Sequence, residues 1–216
     1  FGVTPDRVVD VQSLLGDSTD NVPGIKGIGE APAAQLINEF GDLGKLLEAT
    51  KDPEAVKAMA VEKSESCKAR IYELAGHEFS IGSTKQLKEV LIDELKLPVP
   101  KDKKTGNPTT NAAAMSDLAA KGHEIAQKII DYRFYSKVNT SFADLIHQER
   151  EIAEISRELV TLRTDVPVDH KVVEFRKKRP DPDVLIPFLE EQGFRTILSK
   201  VRAEFGIDAP AAATAD

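Results

Sequence analysis

The sequence has little of what covalent cross-linking or membrane attachment needs. Cys67 is the single cysteine among 216 residues, so no disulfide can form within the chain, which agrees with a reducing cytoplasm. No apolar run approaches the roughly 20 residues that a membrane-spanning helix requires, and no signal peptide opens the sequence. The four histidines lack the spacing of a zinc site, and no Walker loop or Ser-His-Asp arrangement is present. These absences predict a cytoplasmic protein without any of these common catalytic sites.

Net positive charge is also lacking. The sequence has 29 lysines and arginines against 36 aspartates and glutamates, a formal net charge of −7. This balance argues against general nucleic-acid binding, so any contact with DNA must come from local basic patches and must weaken steeply with salt. The content of 41% hydrophobic and 30% charged residues is ordinary for a soluble globular protein. The length allows one large or two modest domains.

Sustained alternation of apolar and polar residues is absent as well. One short stretch, residues 166–173, is a candidate extended segment. Elsewhere the apolar residues recur at helical spacing. We therefore predict an all-α fold.

The most informative stretch is LLGDSTDNVPGIKGIG, which begins at Leu14. The apolar periodicity before it predicts a helix that ends near Gly16, and a second helix is expected to start near Pro32. Three glycines lie between these helices: Gly24, Gly27 and Gly29. Glycine allows positive φ and close approach of another backbone. The amides of such a hairpin, followed by a helix N-terminus, form a seat for a phosphate group.

Two carboxylates, Asp17 and Asp20, lie three residues apart in the same stretch. On a helical turn, both can point the same way and serve one hard cation such as Mg²⁺. The alternative is that they are turn residues, because Asp, Ser, Thr and Asn all favour turns. The spacing alone favours the turn.

This stretch resembles the helix–hairpin–helix segment of the 5′-nuclease domain of bacterial DNA polymerase I, a member of the flap-endonuclease superfamily. By that resemblance, Asp17 and Asp20 match the last two metal-binding aspartates of the family, and residues 24–29 match the hairpin that holds a duplex backbone. The chain departs from the family at residues 31–32, where Ala-Pro stands in place of the usual Lys-Thr. The resemblance therefore implies a phosphate seat that relies on Lys26 and backbone amides.

The middle of the sequence resembles a different part of the same enzyme, the thumb of the polymerase domain. The matching stretches are EFSIGSTKQL, LKLPVP, KKTGNPTT and KGHEIAQKIIDYRFYSKVNTSFADL. In such thumbs, a loop and the neighbouring helix ends follow the minor groove and backbone of a primer–template duplex. The residues implied here are Lys103, Lys104, Thr105, Thr109, Thr110 and Asn111. A solvated surface loop is the alternative, because these are also ordinary loop residues.

The long helix of this thumb-like segment carries two further candidate DNA contacts, Arg133 and Lys137. Asn139 stands where the thumb family typically has a second lysine, which weakens the local positive field. Three aromatic residues lie within residues 132–135 and cover most of the helix circumference. Some of them must therefore be core, and we expect packing rather than base stacking.

From Ala153 onward, the sequence resembles the C-terminal helices of the nuclease domain. The run HKVVEFRKKRP is basic, and its candidate DNA-backbone contacts are Arg176, Lys177 and Lys178. A solvated turn before a helix that starts near Asp181 is equally consistent with this run. The apolar residues beyond it predict the core of two closing helices: Leu185, Ile186, Phe188, Leu189, Phe194, Ile197 and Leu198.

These resemblances predict three parts. Residues 1–50 and 150–206 form a discontinuous nuclease-like subdomain of the helix–hairpin–helix type. Residues 60–146 form an inserted, antiparallel, thumb-like helical hairpin, and residues 207–216 form a disordered linker. A thumb inside a nuclease domain, without a palm, is best explained by a constructed or recombined chain.

The predicted function is sequence-independent binding of duplex, primer–template or flap DNA, without a complete active site, a membrane or a small-molecule cofactor. One alternative is the metal-dependent 5′-3′ exonuclease or flap-endonuclease part of the enzyme. That activity requires Mg²⁺ at Asp17 and Asp20 together with further carboxylates. The other alternative is an engineered helical scaffold without activity.

Overall fold

The structure is a computed structural model that describes residues 2–102 and 104–207, without the side chains of residues 172 and 173. Two compact units follow each other along the chain, Phe1–Leu162 and Arg163–Asp216. Two predictions fall outside the described residues, namely the DNA contact by Lys103 and nearly all of the linker at residues 207–216. No helix of the described part is long and apolar enough to cross a membrane.

Helices provide the regular structure of both units. The first unit contains α1 (Val8–Leu15), α2 (Glu30–Phe40), α3 (Leu43–Ala49), α4 (Pro53–Ala75), α5 (Thr84–Lys88), α6 (Ala112–Ala120), α7 (Glu124–Lys137), α8 (Ala143–Gln148) and α9 (Arg150–Val160). The second unit contains α10 (Pro182–Glu191) and α11 (Arg195–Phe205). Short 3₁₀ helices span Pro5–Arg7 and Val172–Phe175. Two π-helical segments, Glu89–Glu94 and Val138–Phe142, continue α5 and join α7 to α8.

No β-strand forms within residues 2–102 and 104–207, where two isolated antiparallel bridges join Asp17 to Val22 and Lys101 to Pro108. The predicted all-α class is therefore confirmed. The extended segment predicted at residues 166–173 is wrong, because the stretch holds no strand and runs into a 3₁₀ helix. An extended segment needs a neighbouring strand to pair its backbone groups, and the described part of the chain offers none.

Glycines mark the helix boundaries in the N-terminal part of the chain. Gly16 ends α1 at φ 77°, as predicted. α2 begins at Glu30 with Gly29 as its N-cap, so Pro32 takes the third helical position rather than the first. Proline is tolerated there because the N–H groups of a first turn have no partner within the helix. Gly41 ends α2 at φ 93°, immediately before Asp42, the N-cap of α3.

One hydrophobic core unites the N-terminal helices with α4, α7, α8 and α9. Its buried members are Val11, Leu14, Ile25, Ile28, Ala33, Leu36, Ile37, Leu43, Leu46, Leu47, Val56, Ala60, Phe134, Val138, Phe142, Ala143, Ile146 and Ala153. Ile25 and Ile28 are buried, and the prediction that an aromatic residue within residues 132–135 belongs to the core is confirmed at Phe134. Residues 1–50 and the predicted thumb-like segment therefore share one core.

A second hydrophobic core lies at the other end of the α4–α7 pair. Its buried members are Ile71, Ile81, Leu87, Leu91, Ala114, Met115, Leu118, Ile125, Ala126 and Ile129. The start of α4 and the end of α7 contribute to the first core, whereas the end of α4 and the start of α7 contribute to the second. The two helices consequently run antiparallel, and at 23 residues α4 is about 34 Å long.

A polar cluster reinforces the junction of α2, α4 and α7. The Tyr135 hydroxyl donates a hydrogen bond of 2.7 Å to a carboxylate oxygen of Glu39. Lys63 pairs with the other oxygen of Glu39 and lies over the Tyr135 ring, 5.4 Å from its centre. Burial, together with the hydrogen bond to Glu39, raises the pKa of Tyr135. The phenol therefore stays protonated and remains a donor at neutral pH.

The second unit buries little apolar surface. Of its described side chains, Leu189 is buried, whereas Phe188, Phe194 and Ile197 are about half exposed. The prediction that these three form the core of two closing helices is therefore wrong. Two helices share one interface, so apolar side chains that point away from this interface have no third layer to cover them.

Candidate nucleic-acid interface

The segment between α1 and α2 depends on two glycines whose backbones touch. Gly24 has φ +58°, and a Cβ atom there would lie 2.4 Å from the backbone nitrogen of Gly16. The Gly24 N–H donates to the hydroxyl of Ser156 on α9 at 3.0 Å, and the N–H of Ile25 donates to the Leu14 carbonyl at 2.7 Å. The close approach expected at Gly24 is therefore to its own chain. The Gly24 amide therefore holds the segment against α9, and the Ile25 amide holds it against α1.

A tight turn then presents Lys26 and Gly27 to solvent. The N–H of Ile28 donates to the carbonyl of Ile25 at 3.1 Å, and both isoleucines are buried. Lys26 and Gly27 lie exposed between them, and Gly27 has φ +105°. The Lys26 side chain forms no ion pair with a described residue. Gly29 follows as the exposed N-cap of α2. The turn therefore places a free ammonium group beside the start of a helix.

Asp17 and Asp20 lie in a turn rather than on a helix. One Asp17 carboxylate oxygen accepts hydrogen bonds from the N–H groups of Thr19 at 2.9 Å and Asp20 at 3.4 Å. The Asp20 side chain is exposed. Two such carboxylates fit Mg²⁺ only if other oxygens, such as substrate phosphates, complete its octahedral shell. No group of three or more His, Cys, Asp or Glu residues in the described part could hold a metal ion. Metal binding at Asp17 and Asp20 remains a prediction.

Asp102 folds the loop that precedes α6. Its carboxylate accepts hydrogen bonds from the N–H of Thr105 at 2.9 Å, the N–H of Lys104 at 3.0 Å and the hydroxyl of Thr105 at 3.2 Å. These bonds lower the pKa of Asp102 because they stabilise its charged form. Lys104 and Thr105 are exposed at the tip of the loop.

The end of the same loop is tied to α6 and α7. Asn111 caps α6, because its side-chain oxygen accepts a hydrogen bond from the N–H of Ala114 at 2.9 Å, and the Thr109 hydroxyl accepts from the N–H of Asn111 at 3.3 Å. Thr110 is buried, and its carbonyl accepts a 2.6 Å hydrogen bond from the Arg133 guanidinium. Burial lowers the pKa of Arg133, although a guanidinium stays charged in proteins. In this structure, Arg133 and Thr110 hold the loop against α7.

A groove of about 920 Å³ lies between α2 on one side and α6 with α7 on the other. Its lining includes Gly27, Arg133 and Lys137, which are predicted DNA contacts from two separate stretches of the sequence. Lys137 is exposed and forms no ion pair or hydrogen bond with a described residue. Arg133 and Lys137 are four residues apart and so share one face of α7. The groove therefore brings the hairpin turn and the basic face of α7 onto one surface.

Several lining residues were not predicted from the sequence. They are Gln35 and Asn38 on α2, Ser116 on α6, and Gln127 and Ile130 on α7. The sequence around these residues does not indicate a binding site. Neutral amides, serine and single apolar residues are all ordinary on the surface of a helix. Ala31 and Pro32, which replace the Lys-Thr pair of the nuclease family, line the same groove.

The basic cluster of the second unit is a separate feature. Arg176, Lys177 and Lys178 are exposed, and none of them forms an ion pair within the described residues. The neighbouring Arg179 guanidinium lies over the Phe205 ring at 4.7 Å, which ties the cluster to α11. The contact of these residues with DNA remains a prediction.

Comparison with known proteins gives a family and several relatives. The family model for DNA polymerase family A matches residues 51–161, just over half of the chain. DNA polymerase I of Geobacillus stearothermophilus is 39% identical over 115 residues, which cover 53% of this chain and 13% of that protein. DNA polymerase I of Rhizobium leguminosarum is 53% identical over 57 residues, 26% of this chain and 6% of that protein. The 5′-3′ exonuclease of Bacillus subtilis is 51% identical over 47 residues, 22% of this chain and 16% of that protein.

These matches confirm the resemblance to bacterial DNA polymerase I. The chain spans less than a fifth of the length of each of these relatives. The predicted thumb-like segment, residues 60–146, falls inside the matched range 51–161. The limits of the two nuclease-like segments and the recombined origin of the chain remain predictions.

Proposed function

The chain belongs to DNA polymerase family A, and from this premise we propose that it binds DNA through the sugar–phosphate backbone without reading base sequence. The surface that we assign to this function is the face that carries the groove, with Lys26 and Gly27 at one side and Lys137 at the other. The loop tip at Lys104 and Thr105 is a further backbone contact in this proposal.

One observation carries the proposal. The groove is lined by residues that the two resemblances had separately implied in DNA contact, Gly27 from the hairpin and Arg133 and Lys137 from α7. Lys26 and Lys137 form no ion pair with described residues, so no internal contact has to break before they meet a phosphate. Flexible ammonium groups and exposed turn amides contact phosphates, which position a protein on DNA but carry no sequence information.

The acidic character of the chain supports a local rather than a general DNA contact. With a net charge of −7, most of the surface repels a polyanion, so binding depends on the few unpaired cations of this face. Removal of one such cation should therefore weaken binding in a way that removal of an ion-paired lysine elsewhere does not.

Fluorescence anisotropy with labelled plain duplex and flap DNA at low salt tests the proposal. Lys137→Gln and Lys26→Gln are each expected to raise Kd about threefold to tenfold on both DNAs, the usual effect of losing one phosphate contact. Lys51→Gln is the matched control, because it removes the same charge from a lysine that is paired with Glu48 and does not line the groove. Equal weakening by all three variants, or no binding at low salt, would contradict the proposal.

A further inference from the structure

We propose that the groove between α2 and α7 holds an unpaired end of a DNA strand rather than a double helix. The inference rests on the proposed function and assigns a substrate class to part of the same surface. Its first support is size. A volume of about 920 Å³ lies at the upper end of the range of about 300–1,000 Å³ in which proteins enclose small organic ligands. One to a few nucleotides fit such a space, whereas a duplex can only lie across its mouth.

The second support is the apolar part of the lining. Ala31 and Pro32 on α2, and Ala112 and Ile130 on the opposite side, line the groove without any charge. In a duplex, the faces of the bases are stacked on one another and are not available to protein. Only an unpaired base can bury its face against such a surface, and burial of a face against apolar side chains does not read the edges that distinguish the bases.

The third support comes from polar and charged side chains that lie among these apolar residues. Gln35 lines the groove and makes no hydrogen bond with a described residue, so both its donor and its acceptor are open to the edge of a base. Lys137 lines the groove as an unpaired cation, and the Arg133 guanidinium remains charged while it holds the Thr110 carbonyl. The strand's phosphates are expected beside Lys137, because this ammonium group is a cation without a partner among the described residues.

The test compares a blunt duplex with the same duplex that carries an unpaired extension of about three nucleotides, by fluorescence anisotropy at one salt concentration. The wild-type chain is expected to bind the extended DNA about tenfold more tightly, the effect of burying one to two bases. Ser116→Phe fills the groove without changing charge, because Ser116 is an exposed lining residue. This variant is expected to lose the preference, so that its affinities for the blunt and the extended DNA become equal.

Ser66→Phe is the matched control, because Ser66 is exposed on α4 and does not line the groove. This variant should keep the tenfold preference. Equal affinity of the wild-type chain for blunt and extended DNA would overturn the inference while leaving the proposed function intact. Absence of binding to either DNA would overturn both. The wild-type comparison decides the matter even if Ser116→Phe does not fold.

Discussion

At the scale of single residues, Gly24 is the glycine where an added side chain would have the least room. Gly24→Ala would place a Cβ atom 2.4 Å from the backbone nitrogen of Gly16, at a φ of +58° that L-residues rarely adopt. We expect the free energy of unfolding to fall by about 2 kcal/mol or more, because the backbone of α1 must shift. Gly29→Ala is the control, since Gly29 has φ −90° and open space around it.

Urea denaturation followed by circular dichroism measures both variants. The control is expected to lose less than about 1 kcal/mol. A Gly24→Ala protein as stable as the Gly29→Ala protein would show that the contact between Gly16 and Gly24 is not needed.

Substitution of Asp17 distinguishes a structural role in the turn from a role in metal binding. Asp17→Ala removes the acceptor of two backbone N–H groups, and a loss of about 1 kcal/mol in the free energy of unfolding is expected without Mg²⁺. Asp20→Ala removes an exposed carboxylate that accepts no hydrogen bond from the described residues, so little change is expected. Thermal unfolding with and without Mg²⁺ completes the experiment. A Mg²⁺-dependent rise in Tm that either substitution abolishes would favour the metal site.

At the scale of elements, Arg133 connects α7 to the loop before α6. Arg133→Met removes the 2.6 Å hydrogen bond to the Thr110 carbonyl and keeps most of the apolar stem. We expect about 1–2 kcal/mol of destabilisation and faster amide hydrogen exchange at residues 104–110. Lys137→Met on the same helix should leave exchange in this loop unchanged, because Lys137 forms no hydrogen bond or ion pair with the described residues of the loop. Unchanged exchange in Arg133→Met would contradict the anchoring role.

His77 ties the end of α4 to the π-helical segment Glu89–Glu94. Its ring nitrogens contact the Glu78 carbonyl at 3.0 Å and the Glu94 carboxylate at 2.7 Å. The Glu78 carbonyl, and then Glu94 and Glu89, raise the pKa of His77. A pKa raised by folding means that the folded state binds the proton more tightly, so this stabilisation is complete below about pH 6.5 and is lost as pH rises through the folded-state pKa.

The Tm of the wild-type chain should therefore fall as pH rises above about 6.5, and His77→Gln should remove this part of the pH dependence. Other titrating groups affect both proteins equally, so the difference between the two Tm curves isolates the histidine. Parallel curves across this range would contradict the role of His77.

The elements themselves were largely predictable, because their signals are local. Gly16 ends α1 where the sequence predicted it, because glycine adopts the positive φ that terminates a helix without a steric penalty. The start of α2 was misplaced by two residues because Gly29 caps the helix before Pro32. The exposure of Phe188 and Phe194 could not be predicted. Periodicity shows which face of a helix is apolar, but it does not show whether another element covers that face.

At the scale of the whole molecule, the sequence could not predict that the N-terminal helices share one hydrophobic core with α4, α7 and α8. Two stretches that resemble different domains of one enzyme meet in a single core, from Val11 and Leu36 to Phe134 and Ile146. The contact between Glu39 and Tyr135 joins residues 96 positions apart. Such pairings depend on the packing of complete helices, for which a single sequence carries no direct signal. The groove is a product of the same packing, because one side comes from each stretch.

The dependence of DNA affinity on salt tests the central claim most directly. For wild-type protein and plain duplex, log K should fall linearly with log salt, with a slope of about −0.9 for each phosphate contact. Lys137→Gln should make this slope less negative by about 0.9, whereas Lys51→Gln should leave it unchanged. A slope that Lys137→Gln leaves unchanged, or affinity independent of salt, would contradict binding of the DNA backbone at the face that carries the groove.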